Sequence, residues 1–107
     1  METLHYKIKE RSFLAKVAAY KLGAKSVAFV VGKTIHLHNV SKEYFLNDAA
    51  WLRHELCHIR QFKEHGYFGF IFKYLWESWR KGYHYNKYEV EARQAEKFML
   101  PSEPDRK

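Results

Sequence analysis

The chain has 107 residues, 47% hydrophobic and 18% aromatic, which suffices for one self-supporting core and excludes disorder over most of its length. Its 5 Gly and 2 Pro exclude a loop-rich or low-complexity protein, and its single cysteine excludes an internal disulfide framework. A formal charge of +7 suits an acidic partner without naming one, and it equally suits a chain that simply stays soluble.

Read in chain order, the first ten residues alternate polar and apolar side chains and lack the apolar block of a secretory signal. The longest apolar run, residues 67–72, is far short of the roughly 20 residues that span a bilayer, so a soluble, cytoplasmic chain is expected. Residues 3–9 suggest a short strand. Phe13, Leu14, Val17, Ala18 and Leu22 then recur at three- and four-residue spacing, predicting a helix capped by Ser12 and released at Gly23. Two strand-like runs, Val27–Val31 and Thr34–His38, flank Gly32-Lys33 and predict a β-hairpin. In the second run Ile35 and Leu37 should face the core, with Thr34, His36 and His38 on a polar face.

Ser41 can cap a short turn at Tyr44. A long helix is expected from residue 47 or 48 to 64, closing near His65-Gly66. A further helix over 68–80 carries Phe68, Ile71, Phe72, Leu75 and Trp79 on one stripe, read as core. The competing reading of that stripe is a membrane-surface helix, because Lys73, Arg80 and Lys81 accompany it. A tyrosine-rich connector over 82–86 leads to a last helix over 87–100, and residues 102–107 read as a frayed tail. Helix, hairpin and three more helices predict a single α+β domain over 1–107 with a small antiparallel sheet.

The long helix holds His54-Glu55-Leu-Cys-His58. Histidines four apart share one helix face about 6 Å apart along the axis, so both rings can converge on one ion. Zinc accepts such nitrogens in a tetrahedral shell. Glu55 emerges beside the ion rather than on it, where it can take a proton from the attacking water and pass it to a leaving amine. A third ligand has to come from elsewhere. Glu89 and Glu91 are about 200° apart around the last helix, so only one of them can face the ion, and spacing does not choose. If Glu89 does, the small Ala92 on the same face lets the two helices approach closely; if Glu91 does, Ala95 plays that part.

His54-Glu-Leu-Cys-His58 followed by Glu89-Val-Glu-Ala92 resembles the gluzincin zinc metallopeptidases, and most closely their minimal members, the minigluzincins. The resemblance covers about residues 26–97. It implies a minimal zincin-like domain in which a small antiparallel sheet packs on the motif helix and on a glutamate helix. It implies Zn²⁺ on His54, His58 and Glu89, catalysis through Glu55, and hydrolysis of peptide or protein substrates. It also implies that Thr34–His38 forms the upper rim of the cleft, where an extended peptide could add as a strand, and that some compact members are latent. In relatives an acidic or amide residue often follows the alanine; here it is Arg93, which bears on what supports the ligands.

Other residues have plainer readings. His36 and His38 are expected on the polar side of an edge strand, Cys57 as a small buried hydrophobe, and Tyr83, Tyr85 and Tyr88 in packing or at the surface. His65 and His84 have no evident partner in sequence. No basic-aromatic arrangement resembles a nucleic-acid module and no glycine-rich phosphate loop is visible, so no specific nucleic-acid partner is expected. The rivals to a peptidase are a zinc-binding domain without turnover, and a basic adaptor for nucleic acid or anionic membrane in which the motif is accidental.

Overall fold

Three strands and five helices follow one another along residues 5–97, the part of the chain that the structure, a computed structural model, describes. The order is β1 (Lys7–Lys9), α1 (Phe13–Leu22), β2 (Val27–Val31), β3 (Thr34–His38), α2 (Lys42–Asn47), α3 (Ala49–His65), α4 (Tyr67–Tyr85) and α5 (Lys87–Ala95). Local chemistry sets most of these boundaries. The Ser12, Ser41 and Asp48 side chains accept from the third backbone N–H beyond each, starting α1, α2 and α3. The hairpin turns at Gly32, whose φ of +65° is open to glycine, and an added Cβ would press on the Tyr67 ring at 3.3 Å. At Gly82 (φ 81°, ψ 164°) the α4 helix breaks, where the connector is expected, and one more turn carries the chain to Asn86. The last helix ends at Ala95; residues 98–100 of the expected helix and the expected tail lie outside the described residues.

The sheet departs from the expectation in two respects. Its strand order is β1-β3-β2, with β1 parallel and β2 antiparallel to β3, so it is mixed rather than antiparallel. Thr34–His38 is therefore the central strand and has no free edge. The polar face expected of it is covered too, because α1 packs across that side. Ala15 and Ala19 of α1 meet Val27 and Phe29 there, and their small side chains allow the close approach. On the opposite side Ile35 and Leu37 join Leu52, Leu56, Cys57 and Ile59 of α3, with Ala92 and Ala95 of α5 and Phe45 of α2, in the main core. Helix α1, the sheet and the α3–α5 group thus form three layers.

The expected core stripe of α4 is a second correction. Phe68 and Phe72 are each 71% exposed and Trp79 is 78% exposed, whereas Phe70, Glu77 and part of Tyr74 face inward. Phe70 packs with Phe62 and Tyr88, and that smaller aromatic cluster is what holds α4 to α3 and α5. Periodicity finds a stripe without saying which way it points.

Covering β3 on both sides leaves His36 buried, and Ser12 satisfies it. The Ser12 hydroxyl accepts from Ala15 N–H and shares a hydrogen bond with His36 Nδ1 at 2.8 Å, while the imidazole stacks on Phe29. Burial favours the neutral ring. Burial, with help from the Lys9 charge on the neighbouring β1, lowers the His36 pKa below its ordinary 6.5. The unfolded chain therefore takes up this proton first. His36 contributes its full stability above pH 6.5 and loses it as pH falls through the depressed folded value. We expect the stability difference between the wild type and a His36→Gln variant, measured by urea unfolding, to shrink from pH 7.5 to pH 5; a difference independent of pH would contradict the neutral-ring assignment.

Candidate metal centre

His54 and His58 lie one turn apart on α3, on the side that meets α5, and Glu89 stands on the first turn of α5 opposite them. His54 Nε2 is 3.1 Å from Glu89 Oε1 and His58 Nε2 is 3.2 Å from Glu89 Oε2. One donor atom from each of the three residues falls within 4.8 Å of the others, a grouping that can hold a metal ion. Glu91 points elsewhere: it accepts from Gln61 Nε2 at 2.6 Å and pairs with Arg60 at 3.4 Å. The choice between the two glutamates that spacing leaves open therefore falls to Glu89.

Both rings are oriented from behind. His54 Nδ1 bonds Glu96 Oε2 and His58 Nδ1 bonds Gln61 Oε1, each at 2.8 Å, so both Nε2 atoms are directed at Glu89. Gln61 is fully buried and its amide also donates to the Tyr88 carbonyl, which ties α3 to the start of α5. Glu89 Oε2, the oxygen that faces His58, also accepts from the Tyr74 hydroxyl of α4 at 2.5 Å. Asn86 caps α5 through Tyr88 N–H and donates to the Tyr74 carbonyl and to Ser78 Oγ; Glu77 accepts from Lys87 N–H. The glutamate is thus fixed by the helix start three residues before it.

Sequence reasoning missed this supporting set. Glu96 had a legible signal: it follows Glu89 by seven residues, two helical turns, and so shares its face. Gln61, three residues beyond His58 on the same helix, had a weaker one. Nothing local marks Tyr74, Asn86 or Glu77, which matter only because α4 packs on α5. Arg93 takes no part in orienting the rings; its guanidinium donates to the His84 carbonyl and pins the connector.

The electrostatics of the group are strongly coupled. Burial works against charge on Glu89, but hydrogen bonds from His54 and His58 and from Tyr74 outweigh it and hold the carboxyl well below its usual range. Burial likewise opposes charge on both imidazoles. The carboxylates beside them prevail, Glu89 and Glu96 at His54 and Glu89 and Glu55 at His58, and both pKa values are raised. Glu55 is 4% exposed, and burial pushes its pKa up to about 8 against the pull of His58. Two of its surroundings are telling. Glu55 Oε1 is buried with no hydrogen-bond partner among the described residues, and His58 Nε2 has none beyond its approach to Glu89; a bound cation and its water would satisfy both.

Two ligands on one tetrahedral zinc stand about 3.4 Å apart, given bonds of about 2.1 Å. Each imidazole here stands 3.1 or 3.2 Å from a Glu89 oxygen, close to that spacing, and the three donor atoms lie within 4.8 Å of one another. Two imidazole nitrogens and a carboxylate oxygen also make a donor set that zinc accepts.

The three residues and Glu55 line a cleft of about 880 Å³. Its walls come from Val27–Val31 of β2, the end of α1 at Lys21 and Leu22, and Phe70, Ile71, Tyr74 and Leu75 of α4. The cleft rim is therefore β2, which among the described residues pairs only with β3, and not Thr34–His38; neither His36 nor His38 lines it. Cys57 is fully buried in the core, as expected, and burial pushes its thiol up to about 12. Among the tyrosines, Tyr88 is core, Tyr85 is exposed, and half-exposed Tyr83 borders the cleft. His65 gains partners in Lys73 Nζ at 3.0 Å and the Tyr88 ring.

Compared with known proteins, the chain matches no family model, no curated protein and no solved structure at a significant level. Among the described residues, no helix is long and apolar enough to cross a membrane.

The supporting bonds predict a graded outcome. Gln61→Ala and Glu96→Ala should each weaken zinc binding about 10- to 100-fold, read by competition with a chromogenic chelator, while Glu91→Gln should leave it within about threefold. Equal losses for Glu91→Gln and Glu96→Ala would contradict the assignment of Glu96 to ring orientation.

Proposed function

We propose that the protein is a zinc-dependent metallopeptidase with a minimal zincin-like fold, its ion held by His54, His58 and Glu89. The observation that carries this reading is the convergence of both Nε2 atoms on Glu89, with Glu55, its Oε1 unpartnered, on the same cleft wall. A zinc ion bound there would acidify its water and polarise a peptide carbonyl.

The chain's own residues do the rest. Glu55 accepts the proton of the attacking water and returns it to the leaving amine. Gln61 and Glu96 keep the imidazoles in the tautomer whose Nε2 carries the free lone pair. The unpaired edge of β2 offers main-chain N–H and C=O groups along the cleft, where an extended peptide can add as a fourth strand. This replaces Thr34–His38 in that role. The roomy, largely apolar cleft suits side chains of a bound peptide.

Glu55→Gln should keep one zinc per chain, by atomic absorption after dialysis, and lose at least about a hundredfold in cleavage of a fluorogenic peptide library. His54→Ala and Glu89→Ala should lose both zinc and activity. Undiminished activity in Glu55→Gln removes Glu55 from its role; a wild type that takes up no zinc removes the whole reading; and zinc without any cleavage leaves the latent domain in its place.

A further inference from the structure

We propose that the outward face of α4 is a docking surface for an anionic lipid bilayer. The inference is independent of the metal centre. Phe68, Phe72, Leu75, Trp76 and Trp79 are all more than half exposed and recur at intervals of four, three, one and three residues, a single stripe within about 100° of the helix circumference. Phe70 (3% exposed) and Glu77 (5% exposed) lie on the opposite side, against the body of the protein. The Trp76 and Trp79 rings lie 5.5 Å apart, so the stripe presents a contiguous aromatic surface rather than scattered side chains.

Charge identifies the occupant. The helix carries Lys73, Arg80 and Lys81, all exposed, and its one carboxylate, Glu77, is turned inward to the Lys87 N–H. Arg80 and Lys81 both approach Glu77, at 3.7 Å, so one buried negative charge faces two cations and the surface stays positive. Lys73 and Arg80 sit beside the Trp76 border of the stripe, the arrangement of aromatics in acyl chains and cations among headgroups. With a formal +7 on each copy, a second molecule of the same chain is a poorer match for this face than anionic lipid. Because no described helix can cross a bilayer, the contact is peripheral, with α4 lying in the interface. Leu75 belongs both to the stripe and to the cleft lining, so a bilayer on α4 reaches the edge of the cleft.

The test uses the full chain with extruded vesicles of phosphatidylcholine alone or mixed with 30% phosphatidylserine. Co-sedimentation should show binding to the mixed vesicles at 0.1 M salt, weakening at 0.5 M, and at least about tenfold weaker binding to the neutral ones. Tryptophan emission should shift to the blue on the mixed vesicles and be quenched by brominated lipid. Phe72→Ser/Trp79→Ser should weaken binding at least about tenfold with unchanged far-ultraviolet dichroism, since both side chains point away from the core. Should that variant misfold, the quenching in the wild type decides alone. The proposal is overturned by absent binding, by equal binding to both vesicle types, by a folded stripe variant that binds like the wild type, or by a dimer in sedimentation equilibrium that the stripe substitutions dissociate. Zinc content and Glu55 do not enter any of these readouts, so they succeed or fail separately from the peptidase reading.

Discussion

One carboxylate facing two imidazoles across the α3–α5 contact is the constraint around which the rest of the molecule is arranged. Each Glu89 oxygen lies within 3.2 Å of a different histidine, at depths where an unsupported charge would be costly. That geometry survives only if both helices are held in axial and rotational register. The fully buried Ala92 sets the distance, since a larger side chain there would push α5 away from Leu52 and Leu56. Asn86 and Glu77 set where α5 begins, and Gln61 bridges the two helices beside His58. Helix α4 thus reaches the site through the backbone it pins as well as through Tyr74.

The same layering accounts for the cleft. The strand order makes β3 central and leaves β2 as the edge beside the histidines, while α1 covers one sheet face and α3 the other. A polar residue on the central strand then needs an internal partner, which Ser12 provides while also capping α1. The rim and the floor of the cleft come from segments far apart in sequence, and the relation between them follows from which side of the sheet each helix covers.

The metal-centre pattern and the exposed stripe draw on different physics. Burial at the histidines raises the cost of every unpaired polar atom, so partners accumulate there. The outer face of α4 has the opposite character, large apolar area left in water beside exposed cations, and this is the signature of a surface whose partner lies outside the chain.

Local chemistry in the sequence determined a great deal. The Ser12 cap, the Gly32 turn and the three- and four-residue periodicity placed α1 and the hairpin, and a cap at residue 47 or 48 marked the start of α3, because these signals act over only a few residues of chain. The His54–Glu55–His58 spacing likewise put both rings on one face through helix geometry alone. What the sequence left open were relations between elements: Glu89 over Glu91, Glu96 and Gln61 behind the rings, β3 as the centre of a mixed sheet, and the outward turn of the α4 stripe. Each of these depends on which face of one element meets which face of another, and that choice is made by the packing of the whole chain, where burial is shared among segments dozens of residues apart.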